Sequence, residues 1–166
     1  MTKLTIRPYK PEDVEAITAI LNYYIANSTA LYDYTKRNFE QQRAIFDEKL
    51  HKGYPVLVAT IEDRLVGFGY YSEFRFREAY RFTVEHSVYV MPNEHGKGIG
   101  HAIMRKLIDS AKKQKRHTMI AVIDSENQSS IEFHEKFGFK TVAVLKETGY
   151  KFDRWLHSVF MQLMLE

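Results

Sequence analysis

The spacing of apolar and polar positions changes several times along the chain, and each change marks an element. Leu4-Thr-Ile6 alternates as a short strand does. From Pro11 the apolar positions Val14, Ile17, Leu21 and Tyr24 share one helix face, with proline in the first turn. Asn38 and Gln41 make a capping pair for a second helix over 39–50, stopped near Gly53. The run Val56–Ile61, the polar turn Glu62-Asp-Arg64 and the run 65–71 predict a hairpin. A basic and aromatic connector, 74–81, leads into a β-branched strand, Thr83–Val90. Glycines 96, 98 and 100 then precede a helical stripe of Ile99, Ile103, Leu107 and Ala111. Residues 118–123 are apolar and β-branched, as a buried strand is. A helix follows from near Gln128 to Gly138, and 140–145 and 155–165 read as two further strands. The order β-α-α-β-β-β-α-β-α-β-β predicts a mixed sheet with helices on its faces, in the α/β or α+β class.

Composition narrows this picture. With 166 residues, eleven Tyr and eleven Phe, the chain reads as a single domain over 1–166 with one real core. No stretch reaches the roughly 20 apolar residues of a membrane span, and the start Met-Thr-Lys-Leu-Thr-Ile-Arg has no signal-peptide core. These features predict a cytoplasmic protein without membrane contact. The formal net charge is only +3, and the cationic run Lys112-Lys113-Gln114-Lys115-Arg116 falls where a helix ends. Cations there suit the helix dipole, so the run is read as a solvated helix end rather than a nucleic-acid surface. There is no cysteine. Disulfides, thiolate metal ligands and a cysteine nucleophile are excluded, and any thiol in the chemistry comes from a cofactor.

The glycines carry the first chemical question. No Gly-Lys is followed by Ser or Thr, so the P-loop is absent. The spacing Gly-x-Gly-x-x-Gly fails too, because His101 and Ile103 stand where the last glycine is needed. What remains is His95-Gly-Lys-Gly-Ile-Gly100 entering a helix, which suits either a flexible bend or an anion cradle of backbone N–H groups.

His95, Gly98 and Gly100 occupy the positions of the pattern Gln/Arg-x-x-Gly-x-Gly/Ala after a strand, and Asn127-Gln-Ser-Ser-Ile-Glu-Phe-His-Glu-Lys-Phe-Gly-Phe139 fits a second, later signature. Together they resemble the GNAT N-acetyltransferases. Glu85-His-Ser-Val-Tyr-Val90, Ala79-Tyr80, Gly149-Tyr-Lys-Phe-Asp-Arg-Trp155 and the helix segment 22–29 are similar to the branch that acetylates phosphinothricin and methionine sulfoximine. Two positions depart from that branch: His95 replaces Gln or Arg, and Phe74 replaces Trp.

The resemblance implies acetyl-CoA as co-substrate and no metal. It implies a coenzyme A site from Val88, Tyr89, Val90, His95, Gly96, Lys97, Gly98, Ile99, Gly100 and Asn127. It implies Glu85 as the base that takes the amine proton, the Val90 N–H as donor to the developing oxyanion, and His134 as acid to the leaving thiolate, relay or packing group. His86 alternates to the face opposite Glu85 and is read as structural. Arg75, among Arg75, Arg77 and Arg81, is the expected fork for an anionic group, with Phe74, Tyr80 and Tyr32 walling the pocket. The implied acceptor is a small amine with an anionic group, and the implied assembly a homodimer. Other readings are an acetyltransferase for a polyamine, aminoglycoside or protein N-terminus, a non-catalytic acyl-CoA sensor, and a nucleotide-binding module.

Overall fold

The computed structural model describes residues 3–166; Met1 and Thr2, the first two positions of the expected domain, lie outside the described residues. Strand β1 is Leu4–Pro8. Pro11 opens a single 3₁₀ turn, Pro11–Asp13, before helix α1, Val14–Asn27. The Asp13 carboxylate accepts from both Arg7 guanidinium nitrogens at 2.8 Å and from the Lys10 amide at 2.8 Å, which fastens the end of β1 to the start of that turn. Helix α2, Phe39–His51, starts on the expected capping box of Asn38 and Gln41.

Strands β2, Val56–Ile61, and β3, Arg64–Glu73, form the expected hairpin. The turn is only Glu62-Asp63, both left-handed at φ 50° and 64°, so Arg64 joins the strand. Then come β4, Thr83–Val90, α3, Ile99–Lys113, and β5, Thr118–Asp124. Helix α4 is Gln128–Glu135, shorter than expected, because the chain turns out of the helix before Gly138 at φ 91°. Strands β6, Lys140–Lys151, and β7, Arg154–Met164, close the chain.

The strands form one seven-stranded sheet in the order β1-β2-β3-β4-β5-β7-β6. Only β4 and β5 are parallel neighbours. On one face, α1 and α2 bring Ile17, Leu21 and Phe46 against Val58, Phe68 and Tyr89. On the other, Ile99, Ile103 and Leu107 of α3 pack on Val66, Val84 and Met119. The expected mixed sheet with helices on both faces is what forms. Gly67 and Gly69 let α3 lie close to β3: a Cβ at Gly69 would stand 2.6 Å from Ile103 Cγ2.

The feature that makes a site is the β4–β5 contact. The strands pair at Thr83↔Thr118, Val84↔Met119 and Glu85↔Ile120, and there the pairing ends. Beyond Glu85 the strands part, and the ends of β4 and β5 become the walls of an opening in the sheet.

Candidate active site

A cavity of about 990 Å³ occupies that opening, lined among others by Glu85, Val88, Val90, Asn127 and His134. Hydrogen-bond alternation fixes which backbone groups face it. The Phe74 amide donates to the Thr83 carbonyl and the Met91 amide to the Val66 carbonyl. Odd-numbered residues of β4 therefore bond to β3, and even-numbered ones point the other way. Val84 meets β5; Val88 and Val90 lie past the end of that pairing and aim their N–H groups into the cavity. Tyr89, implied as a cofactor contact, turns its ring into the α1–α2 core, where it is buried.

Tyr24 sits on the cavity wall in a role that its place on an apolar helix face did not show. Its hydroxyl donates to the Val90 carbonyl at 2.6 Å and lies 2.8 Å from His95 Nε2. A phenol has one proton, so His95 Nε2–H donates to the Tyr24 oxygen. Burial pushes the Tyr24 phenol up to about 12, which keeps that proton in place at neutral pH.

The glycine bend runs from the 3₁₀ turn Pro92–Glu94 into α3. Gly96 and Gly98 are left-handed at φ 79° and 77°, and a Cβ built on either meets nothing within 4 Å, so the left-handed backbone rather than crowding accounts for glycine there. The unpaired N–H groups of the first turn of α3 add the positive end of the helix. Ile99 anchors the helix start in the core, and Gly100 lies against the Phe133 ring. The Lys97 ammonium is held by Glu94 at 2.6 Å, and Glu94 also accepts from Arg64 at 2.6 Å. Those three groups leave one net positive charge beside the bend. Asn127 caps α4, its side-chain oxygen accepting from the Ser130 amide at 3.2 Å. Its amide N–H groups remain available to the cavity it lines.

Glu85 stands on the last paired residue of β4, with its side chain 37 % exposed. Burial raises its carboxyl above the ordinary value of 4.5, against the opposing pull of Arg75 and Lys49. Arg75 Nη1 is 4.0 Å from the Glu85 carboxylate, and its guanidinium lies 4.1 Å from the centre of the Phe74 ring. Tyr80 packs against Phe74 with ring centroids 5.8 Å apart, so Phe74, Arg75 and Tyr80 form one cluster. Arg77 and Arg81 instead lie over the neighbouring Phe76 and Phe82 rings.

A second cavity, about 380 Å³, opens beside this cluster between α2 and β3, lined by Lys49, Ser72, Phe74 and Arg75. The pattern of the chain gave no hint of Lys49, which donates to Ser72 Oγ at 3.2 Å and sits 4.6 Å above the Tyr70 ring. The Arg75–Glu85 contact joins the two cavities.

The loop after α1 covers the large cavity from the other side. The Tyr32 ring lies directly over Gly149, where a Cβ would come within 2.5 Å of it. Thr29 donates to Asp124. Lys151, buried in β6, donates to the Ser28 and Leu31 carbonyls at 2.8 and 2.6 Å. The β6–β7 hairpin therefore fixes the loop that presents Tyr32.

His134 is buried on α4 and meets His86 of β4, with their Nε2 atoms 3.1 Å apart. His86 does lie on the face opposite Glu85: it pairs across from Tyr71, while Glu85 pairs across from Ser72. Yet it lines the same cavity as Glu85, because that cavity passes through the sheet where the strands part. Among the described residues no three His, Asp or Glu side chains gather as a metal site. No helix among them is long and apolar enough to cross a membrane.

Residues 19–139 match the profile of the Acetyltransferase (GNAT) family. The L-methionine sulfoximine/L-methionine sulfone acetyltransferase of Salmonella typhimurium is 37 % identical over 163 residues, 98 % of this chain and 95 % of that protein. A phosphinothricin N-acetyltransferase of Alcaligenes faecalis is 36 % identical over 95 % of this chain and 81 % of its own length. The crystal structure of a phosphinothricin acetyltransferase from Sinorhizobium meliloti in complex with acetyl-CoA superposes with a TM-score of 0.95 at 38 % identity, covering 99 % of this chain and 89 % of that one.

Proposed function

This chain belongs to the acetyltransferase (GNAT) family and transfers acetyl from acetyl-CoA to an amine, and we propose that its acceptor is the α-amino group of a small amino-acid-like molecule of the phosphinothricin or methionine sulfoximine type. The observation that carries this reading is the Arg75–Glu85 pair at the junction of the two cavities. A base and a cation 4.0 Å apart match an acceptor whose amine and anionic group are close neighbours.

In this reading Glu85 takes the amine proton as nitrogen attacks the acetyl carbon. The Val90 N–H donates to the oxygen as it becomes negative, a contact of the kind worth about 3 kcal/mol. The carbon–sulfur bond then breaks and the thiolate departs beside His134. The amides of 96–100 hold the diphosphate of coenzyme A and the Val88 peptide group its pantetheine arm, while Val90, whose carbonyl accepts from Tyr24, serves the thioester end. Arg75 and Lys49 take the anionic end of the acceptor. Those two cations oppose a polyamine or an aminoglycoside, and the raised carboxyl of Glu85 fits a working base better than a passive sensor.

The test is release of free coenzyme A thiol from acetyl-CoA across a panel of amines. Phosphinothricin, methionine sulfoximine and methionine sulfone support turnover, and spermidine does not; preference for the polycation would overturn the assignment. Arg75→Ala raises KM for the anionic acceptors about tenfold or more, since a hydrogen bond to a charged group contributes about 1.5–3 kcal/mol. An unchanged KM would remove Arg75 from acceptor recognition.

The same reading takes 1–166 as one catalytic domain, since one sheet runs from β1 to β7. It places the chain in the cytoplasm, where acetyl-CoA is supplied, and in a homodimer. Support for the dimer comes from β6, an edge strand with Val142, Val144 and Leu145 exposed, next to exposed Tyr150 and Trp155. An unpaired apolar edge of this kind is normally covered. Light scattering of the pure protein gives a dimer mass, and Val144→Lys shifts it toward the monomer. A wild-type monomer at micromolar concentration would sink the dimer.

A further inference from the structure

The contacts of the His86–His134 pair admit one economical placement of protons. His134 Nδ1 lies 2.6 Å from the Ser130 carbonyl oxygen, which can only accept, so Nδ1 carries a proton. In the neutral ring Nε2 is then a bare lone pair, and it faces His86 Nε2 at 3.1 Å. The proton between the rings therefore belongs to His86. That leaves His86 Nδ1 bare, and it is buried with no partner among the described residues. Moving the shared proton to His134 would make that ring an imidazolium. It would also require a proton on His86 Nδ1, a buried donor with no acceptor, which is the rarer and costlier kind of orphan.

We propose that His86 is a positioning residue that acts through His134: its Nε2–H occupies the one free nitrogen of His134 and holds that ring neutral, so the two histidines work as a single proton-sharing unit. Both nitrogens of His134 are then engaged, one by Ser130 and one by His86. His134 then has no N–H to offer a departing sulfur, since its Nδ1–H is given to Ser130 and its Nε2 is an unprotonated lone pair. The proposal rests on the acetyl-transfer reading above for its role, though not for its proton placement.

The surroundings agree. Phe139 packs against both rings and Phe133 against His134, at centroid distances of 5.2–5.6 Å. Among the described residues no charged group is hydrogen-bonded to either ring. Glu85 projects from the other face of β4, Glu132, Glu135 and Lys136 are exposed on and just after α4, Asp124 at the end of β5 bonds to Thr29, and His101 of α3 packs on Phe133 and Phe137. Burial holds both rings below the ordinary 6.5, His86 well below it. A lowered folded value means the unfolded chain takes protons first. This share of stability is complete above 6.5 and is lost as the pH falls from 6.5 through the folded values.

The test is nitrogen-15 NMR of histidine-labelled protein at neutral pH, without any substrate. The expected spectrum shows opposite tautomers, His134 protonated at Nδ1 and His86 at Nε2. The same tautomer in both rings, or a charged ring at neutral pH, overturns the proposal. In His86→Leu, His134 titrates nearer 6.5, and kcat gains a limb there while both KM values stay within about threefold. His86→Gln, whose amide can still donate, keeps the wild-type profile. A His134 titration and kcat profile unmoved in His86→Leu would also overturn it. The tautomers are read on the wild-type protein, so the result stands apart from which acceptor is used, or whether any is.

Discussion

Glu85→Gln lowers kcat by about 10²–10⁴, the usual worth of a positioned general base, and leaves acetyl-CoA affinity within about twofold. Gln fills nearly the same volume but cannot take a proton. The coenzyme A contacts proposed here are peptide groups of β4 and the glycine bend, so the loss falls on chemistry rather than on binding. The pH dependence has a definite sign. Only the ionised carboxylate is a base, and burial raises its value above 4.5. The rate constant kcat/KM therefore falls as the pH drops through a limb placed higher than that of an ordinary carboxylate, and Glu85→Gln removes the limb. Equal losses in kcat and in acetyl-CoA affinity would reassign Glu85 to holding the end of the β4–β5 pairing.

Gly69→Ala destabilises the fold by about 1–3 kcal/mol, the range for an overpacked core. The added Cβ would lie 2.6 Å from Ile103 Cγ2, 3.1 Å from Leu107 Cδ1 and 3.1 Å from the Ser87 carbonyl. Ile103 and Leu107 are fully buried and have no room to retreat without moving α3. Thermal unfolding shows a fall in Tm of roughly 2–4 °C for each kcal/mol in a chain of this size. Ile103→Ala is itself destabilising, yet in the Gly69→Ala background it removes the crowded methyl. The double variant is then more stable than the sum of the single losses predicts. Strict additivity would mean that α3 does not rest on Gly69 as described.

The element order, the mixed sheet and the capping box at Asn38 were legible because each rests on a local rule of spacing or hydrogen bonding. The bend before α3 was legible as a bend, and its family pattern pointed to coenzyme A. The far half of β6 was not. A register shift between Leu145 and Gly149, with Glu147 left-handed at φ 55°, breaks the alternation that marks a strand. Tyr24 was counted as one more apolar position on α1, because spacing locates a ring and says nothing about where its hydroxyl ends. Alternation placed His86 on the correct face of β4. Only the packing of α4 shows that His134 waits on that face. Lys49 is far from Arg75 in sequence, and only the packing of α2 on the sheet brings the two to one cavity.

The opening between β4 and β5 bears on which acyl groups the enzyme accepts. Peptide N–H and C=O groups grip a carrier through its amide linkages, and those are identical whether the thioester bears two carbons or eight. Contacts of that kind are thus blind to chain length. In the proposed reading, discrimination against longer acyl chains resides instead in the part of the cavity lined by Glu85 and Tyr32.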